Sequence, residues 1–342
     1  MDVGRRAMNA FGAMCLRIKE SEYPPPEDAG PRTTLREKAL HVVESLRISH
    51  YWYWALEGFF ACLGGGVAAF GGFMMLSLVM TMTNIGIVNG LGGIITPICF
   101  LFVGSLVDRW HPVRVAGYGG VYGVFFGLGG AIWLFVDHPS PLVYMLTAVI
   151  GSVFAAPVGA LGGTAYLPRV FALLPRDKFG QYNGAKIMVQ AVGIFLGGIM
   201  GGLYLDAVNA IVPHHADDPN WAYRYLFIYG AVFGVFTAFC SYKIYRGWKR
   251  LGADKSYVPP QKPFRLADLP PHPDTDGKVH WGIIAFHGLN FLGSLICSII
   301  WISYYIWWNP NPQYALCFGI TMVYSIVAFL AFVRLVTFME RP

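Results

Sequence analysis

The feature that most constrains this 342-residue chain is a series of eight long apolar runs. They fall at roughly 52–80, 90–107, 115–136, 142–166, 186–205, 222–243, 282–306 and 313–336. A helix needs about 20 apolar residues to cross the hydrocarbon core of a bilayer. A barrel would instead show short alternating strands. Only 13% of residues are charged, about half the share of a soluble domain, so a soluble enzyme is excluded. An aromatic content of 16% excludes disorder. The expected fold is all-α: a polytopic membrane helix bundle of about eight transmembrane helices, six in one unit and two in a hairpin. The first run is the longest and reads as one tilted or extended span.

All but one of the 25 Lys and Arg residues lie in segments that alternate spans place on a single side. The exception is Arg224, at the start of the sixth run. By the positive-inside rule that side is cytoplasmic and carries both termini, in an inner or plasma membrane. Tyr51 to Trp54 and Trp307-Trp308 read as interfacial aromatic belts. Residues 1–49 form a cytoplasmic segment, in which Thr34 and Glu37 make a capping box. Leu35, Ala39, Val43 and Leu46 share a face of a short helix, lying on the membrane or simply leading into it. Residues 50–245 form the six-span unit, and 246–281 a linker kept extended by six prolines. Residues 282–342 form the hairpin.

Polar residues inside the runs are few. Glu57 is the one acid well within a span, where a charge costs on the order of 2–3 kcal/mol. It must face protein or a water cavity or be protonated, in a proton- or cation-coupling role, or snorkel to the nearby cytoplasmic interface. Asn84 and Asn89 lie in the outer turn or line a path. Gln190 either lines a path or bonds a neighbouring helix. His287 and Asn290 share a helix face and read as interhelical hydrogen-bonding groups. His214, His215, Asp217 and Asp218 read as an exposed loop, so no metal site is expected. Glycines recur four apart at Gly193, Gly197 and Gly201, at Gly119, Gly123 and Gly127, and, with Ala155, at Gly151, Gly159 and Gly163. Such seams let membrane helices approach closely. Pro97 and Pro157 are expected to bend their helices. No phosphate loop, nucleophile elbow or catalytic carboxylate pair is present in the sequence, so an enzyme is not expected, nor a cofactor. The basic residues are dispersed between spans, which argues against nucleic acid.

The turn after the second run reads Gly104-Ser105-Leu106-Val107-Asp108-Arg109-Trp110-His111-Pro112-Val113-Arg114. Asp108 sits at a helix C-terminus, where the macrodipole disfavours an anion. It is expected either to be solvated or to be compensated by Arg109, Arg114 or the start of the fifth span, as a latch that opens when helices rock. This Gly-x-x-x-Asp-Arg pattern with a following Arg resembles the signature cytoplasmic loop of the major facilitator superfamily, with His111-Pro112 replacing the usual Gly-Arg. Leu174 to Gln181 and Gly201 to Asp206 also resemble that superfamily, especially its sugar–cation symporter and sucrose-transporter branches. Cys15 to Pro26 is similar to the linker that joins the two halves of twelve-helix relatives. The resemblance covers roughly residues 15–245 and implies a C-terminal six-helix half without its first half.

What the resemblance implies is a secondary, cation-coupled transporter of sugars or similar small polar solutes, working by alternating access between two six-helix halves. Glu57, Gln190 and Asn84 are then the candidates for coupling or the substrate path. The implied partners are the lipid bilayer and a separate six-helix half, a second copy of this chain or other membrane subunits. The competing expectation is a non-transporting structural subunit built on a half-transporter fold.

Overall fold

The computed structural model describes residues 34, 36, 37, 40, 43, 47–78, 80–136, 140–176, 178–212, 221–252, 265 and 278–341. The chain divides into two compact units, Met1–His41 and Val42–Pro342. In the first, the capping box is formed reciprocally. Glu37 Oε2 accepts the Thr34 N–H at 2.7 Å, and Thr34 Oγ1 accepts the Glu37 N–H at 3.3 Å. Leu35, Ala39 and Leu46, and the loop group His214, His215, Asp217 and Asp218, lie outside the described residues.

The second unit is an all-α polytopic membrane bundle, with no strand among the described residues. Its helices are α1 (Ser49–Gly65), α2 (Gly71–Ser77), α3 (Met82–Trp110), α4 (Pro112–Gly129), α5 (Pro141–Leu173), α6 (Phe179–Ile211), α7 (Leu226–Arg250), α8 (Trp281–Trp307) and α9 (Pro312–Glu340). Seven of them, with adjoining 3-10 turns, are long and apolar enough to cross a membrane. The expected first span is not one helix. α1 has 17 residues, about 26 Å at 1.5 Å per residue, short of the roughly 30 Å hydrocarbon core. A 3-10 turn over Gly66–Phe70 joins it to α2. The cause is the glycine run Gly64-Gly65-Gly66 followed by Gly71-Gly72, which weakens the helix. Gly66 in turn meets α6 backbone: a Cβ there would lie 2.7 Å from Gly197 Cα.

Several ends differ from the apolar runs in the same direction. α3 begins at Met82, where Thr81 Oγ1 accepts the Asn84 N–H at 3.2 Å. Asn84 and Asn89 are therefore helical and not in a turn. α5 continues through Pro157 and Pro168 to Leu173, α6 starts at Phe179, and α9 runs on to Glu340. These extensions carry Arg169, Lys186 and Glu340 into the bundle, where all three are buried. Tyr51 and Trp54 are also buried, three residues apart on one helix face, so they belong to the core and not to a lipid-facing belt. Trp307 and Trp308 are exposed, as a belt requires.

Helix packing follows a simple exchange rule. α1 packs on α6 and α7, α5 packs on α3 and α4, and α4 packs on α7. Exchanging α1 with α5, α3 with α6, and α4 with α7 maps this list onto itself. The α8–α9 hairpin breaks the rule. It packs on α4 and α5, and nothing equivalent covers α7 and α1 among the described residues.

The α6 glycine seam is real. A Cβ at Gly193 would lie 2.6 Å from the Phe59 carbonyl oxygen, and one at Gly197 2.8 Å from that of Leu63. One at Gly201 would meet Val67 at 2.8 Å. The other two expected seams differ. On α4 the close approach to α7 uses Gly117, Gly120 and Gly127, while Gly123 faces open space. On α5, Gly151 and Gly159 meet nothing and only Gly163 touches a neighbour, Phe100. Spacing defines a face, but only a facing helix turns it into a seam.

Arg224, the exception to the charge asymmetry, is 1% exposed and has a structural task. Its guanidinium donates to the carbonyl oxygens of Ser77 (2.6 Å), Val136 (2.5 Å) and Trp133 (3.4 Å). Those carbonyls end α2 and the 3-10 turn Gly130–Phe135, where free acceptors and the helix dipole favour a cation. Trp221 stacks against it at 4.3 Å.

Candidate functional site

Two buried carboxylates organise the polar interior. The first is Glu57 on α1. Arg169 Nη2, from α5, donates to Glu57 Oε1 at 2.8 Å. Ser241, from α7, donates its hydroxyl to the same oxygen. Gly120 makes this contact possible, because a Cβ there would fall onto Ser241 Oγ. Glu57 thus does not snorkel: its side chain turns inward and is held by two other helices. Its second oxygen, Oε2, has no partner among the described residues.

An aromatic and basic layer adjoins the pair. Lys186 Nζ, from α6, lies 3.7 Å from the Trp54 ring centre, and Arg169 Cζ lies 4.9 Å from the same centre. Lys186 Nζ also donates to Tyr166 Oη at 3.2 Å. Lys186 is 2% exposed and Arg169 7%. A cation on a desolvated aromatic face gains about 2 kcal/mol, while burying an ion costs several kcal/mol, so the ring offsets only part of the cost. Arg169 Nε is buried and has no hydrogen-bond partner. Gln190 packs beside this layer. A Cβ on Gly58 would lie 2.6 Å from its Cγ, so the glycine next to Glu57 makes room for the amide. Asn84 is not part of the cluster; it sits in the first turn of α3, half-buried.

The second carboxylate, Glu340, ends α9. Glu340 accepts Tyr118 Oη–H at 2.6 Å and the Tyr245 hydroxyl on Oε1, and Lys249 Nζ at 3.2 Å on Oε2. Arg114 Nε lies 3.8 Å from Oε1 and donates to Tyr245 Oη at 3.4 Å. Lys249 further donates to the Glu340 carbonyl oxygen at 2.9 Å. An anion at a helix C-terminus needs such compensation. The cluster ties α4 and α7 to the hairpin.

The signature-loop residues separate here. Arg114 joins the Glu340 cluster. Asp108 and Arg109 are exposed, and Asp108 has no ion-pair partner among the described residues. Asp108 is thus solvated and forms no latch, because a carboxylate in water needs no fixed partner. Gly104 has open space around it. His111 links α3 to α4 with a φ of 71°, and its Nδ1 accepts the Val113 N–H at 3.3 Å. Its ring stacks on Trp248 at 4.5 Å. Burial, with Arg114 nearby, lowers the His111 pKa to about 4. His280, just before α8, is lowered for the same two reasons, against an opposing effect of Glu340. His287 does not bond across helices: its Nδ1 pairs with the Ile283 carbonyl of its own helix at 2.8 Å, among Tyr122 and Phe332.

Sequence reasoning missed Arg169, Lys186 and Glu340. Each sits at the edge of an apolar run, where a charge reads as loop. The discriminating signal was weak: Glu57 needed a cation, and Arg169 follows apolar sequence with only Pro168 between. Comparisons with protein-family models, curated proteins and solved structures find no match to this chain.

Proposed function

We propose that this chain is a membrane transport component: one six-helix wall of a secondary, cation-coupled transporter that works by alternating access. The observation that carries this reading is the three-plus-three exchange of helix contacts, with a buried ion pair joining α1 and α5, two helices that it exchanges. The contacts α1–α6 and α1–α7 mirror α5–α3 and α5–α4, and Glu57 and Arg169 join the two exchange-related helices α1 and α5. Membrane ion pairs of this kind mark ion or substrate pathways. Inverted repeats give a bundle two alternative tilts around a fixed site. In this reading Glu57 is the coupling residue, Arg169 its counter-ion, and Gln190 a wall residue. The basic end is cytoplasmic. A separate six-helix half, or a second copy of the chain, completes the cavity. The resemblance to sugar–cation symporters puts sugars and similar polar solutes first among substrates.

The test is reconstitution of the full chain, alone and with any six-helix protein that copurifies, followed by uptake of labelled sucrose under an imposed proton or sodium gradient. Gradient-driven uptake that Glu57→Gln uncouples is the expected result. A chain that stays monomeric, binds no six-helix partner and moves no solute overturns the proposal. Stable copurification with unrelated subunits and no uptake would favour the scaffold role.

A further inference from the structure

Four basic side chains are buried in the bundle among the described residues: Arg169, Lys186, Arg224 and Lys249. Three have anionic or carbonyl ligands. Arg169 has Glu57, Lys249 has Glu340, and Arg224 has three carbonyl oxygens. Lys186 has neither. Its polar partner is the neutral Tyr166 hydroxyl, and its charge rests on the Trp54 face. Glu57 is near enough to interact electrostatically with Lys186, yet its engaged oxygen already serves Arg169 and Ser241. The cluster therefore holds two cations and one carboxylate, with one guanidinium N–H, on Arg169 Nε, left over. A ring face offsets only part of the penalty of desolvating an ammonium.

The cluster also has a way in. Tyr166, whose hydroxyl holds Lys186, is 43% exposed. On the same α5 face, Gly159 and Gly162 are exposed with open space above them. A ligand approaching along α5 meets the Tyr166 ring first and the Lys186 ammonium behind it.

We propose that Lys186 and Arg169, framed by Trp54 and Tyr166, form a binding site for a small organic carboxylate. The ligand carboxylate takes the ammonium of Lys186 and brings the cluster to neutrality. Its short carbon skeleton lies against the two aromatic rings. This deepens the transport reading by naming its substrate class, and rests on that reading for the path by which the ligand arrives. It shifts the expected solute from a neutral sugar to a monoanion.

The experiment uses the full chain in nanodiscs and follows thermal unfolding during titration with sodium lactate. Lactamide, sodium chloride at matched ionic strength, inorganic phosphate and sucrose are run in parallel. Lactate is expected to raise Tm saturably while lactamide and chloride do not. Lys186→Met is expected to weaken lactate at least tenfold, and Lys186→Arg to retain it. Lys186→Met is also expected to raise the Tm of the ligand-free protein, because it removes an unpaired buried charge. A structural lysine would give the opposite sign, so a lower ligand-free Tm overturns the proposal. So does a lactate response equal in the wild type and Lys186→Met, or stabilisation by phosphate and not by lactate. Sucrose uptake without lactate binding removes this site and leaves the transport reading intact. Lactate binding in a chain that moves no solute with any partner removes the transport reading and leaves the site.

Discussion

The two buried glutamates have similar neighbours and opposite states of completion. Glu340 has partners on both carboxylate oxygens, from Lys249, Tyr118 and Tyr245, with Arg114 close by. Glu57 has partners on one oxygen only and sits beside a lysine that lacks an anion. A saturated cluster resists change, since every rearrangement loses a bond. An unsaturated one has alternatives of similar energy, which is what a gating or binding element needs. The difference separates a fastening, where the hairpin meets the six-helix unit, from an unsaturated cluster between α1 and α5, the proposed working site.

Substitutions can break this contrast. The largest effect is expected from Glu340→Ala. It strands Lys249 in a buried position, and breaking a buried pair in this way costs about 3–5 kcal/mol. Thermal unfolding in nanodiscs measures it, and a loss below about 1 kcal/mol would contradict the fastening role. Glu57→Gln should cost somewhat less, about 3 kcal/mol, because an amide oxygen still accepts from Arg169 and Ser241 although two buried cations lose their anion. Its main effect should appear in transport coupling, and a pure stability defect with normal coupling would merge the two clusters into one class.

The glycine seam gives the next step down. Gly197→Ala is expected to lose about 1–3 kcal/mol through overpacking against the Leu63 carbonyl. Gly198→Ala, facing open space, should gain up to about 1 kcal/mol from helix propensity. Equal effects at the two positions would dissolve the α1–α6 contact.

The most gradual effect is a pH slope near the fastening. His111 titrates normally near 6.5 when unfolded and at about 4 when folded. Between these values the unfolded chain binds the extra proton, so stability should fall as pH drops from about 6.5 towards 4. The His111 contribution is fully present above that window. A His111→Gln variant should show a shallower slope over the same range, and an unchanged slope would exclude His111 as its source.

Much of the architecture was legible because membrane insertion writes itself into the sequence as apolar length. Seven of the eight runs became helices long and apolar enough to cross a membrane, while the first is broken into α1, a 3-10 turn and α2. The ends were less legible. Arg169, Lys186 and Glu340 look like loop residues until a partner is known. Those partners lie far off in sequence: Glu57 for Arg169, and Tyr118 for Glu340, 222 positions away. Glu57 could be picked out as an acid within a span, but Arg169 could not be named as its partner. Asp108 showed the reverse, since the dipole argument was sound and exposure made it unnecessary. His111, with its positive φ, was visible only as a departure from a familiar loop pattern.

Arg224 carries a consequence for the order of assembly. The carbonyls at Ser77, Trp133 and Val136 that it binds are synthesised before it. As the chain is made from its N-terminus, the ends of α2 and of the turn before α5 wait with open acceptors until the guanidinium of residue 224 emerges. That end of the bundle therefore closes only after residue 224 has been made, although α3, α4 and α5 already pack on one another.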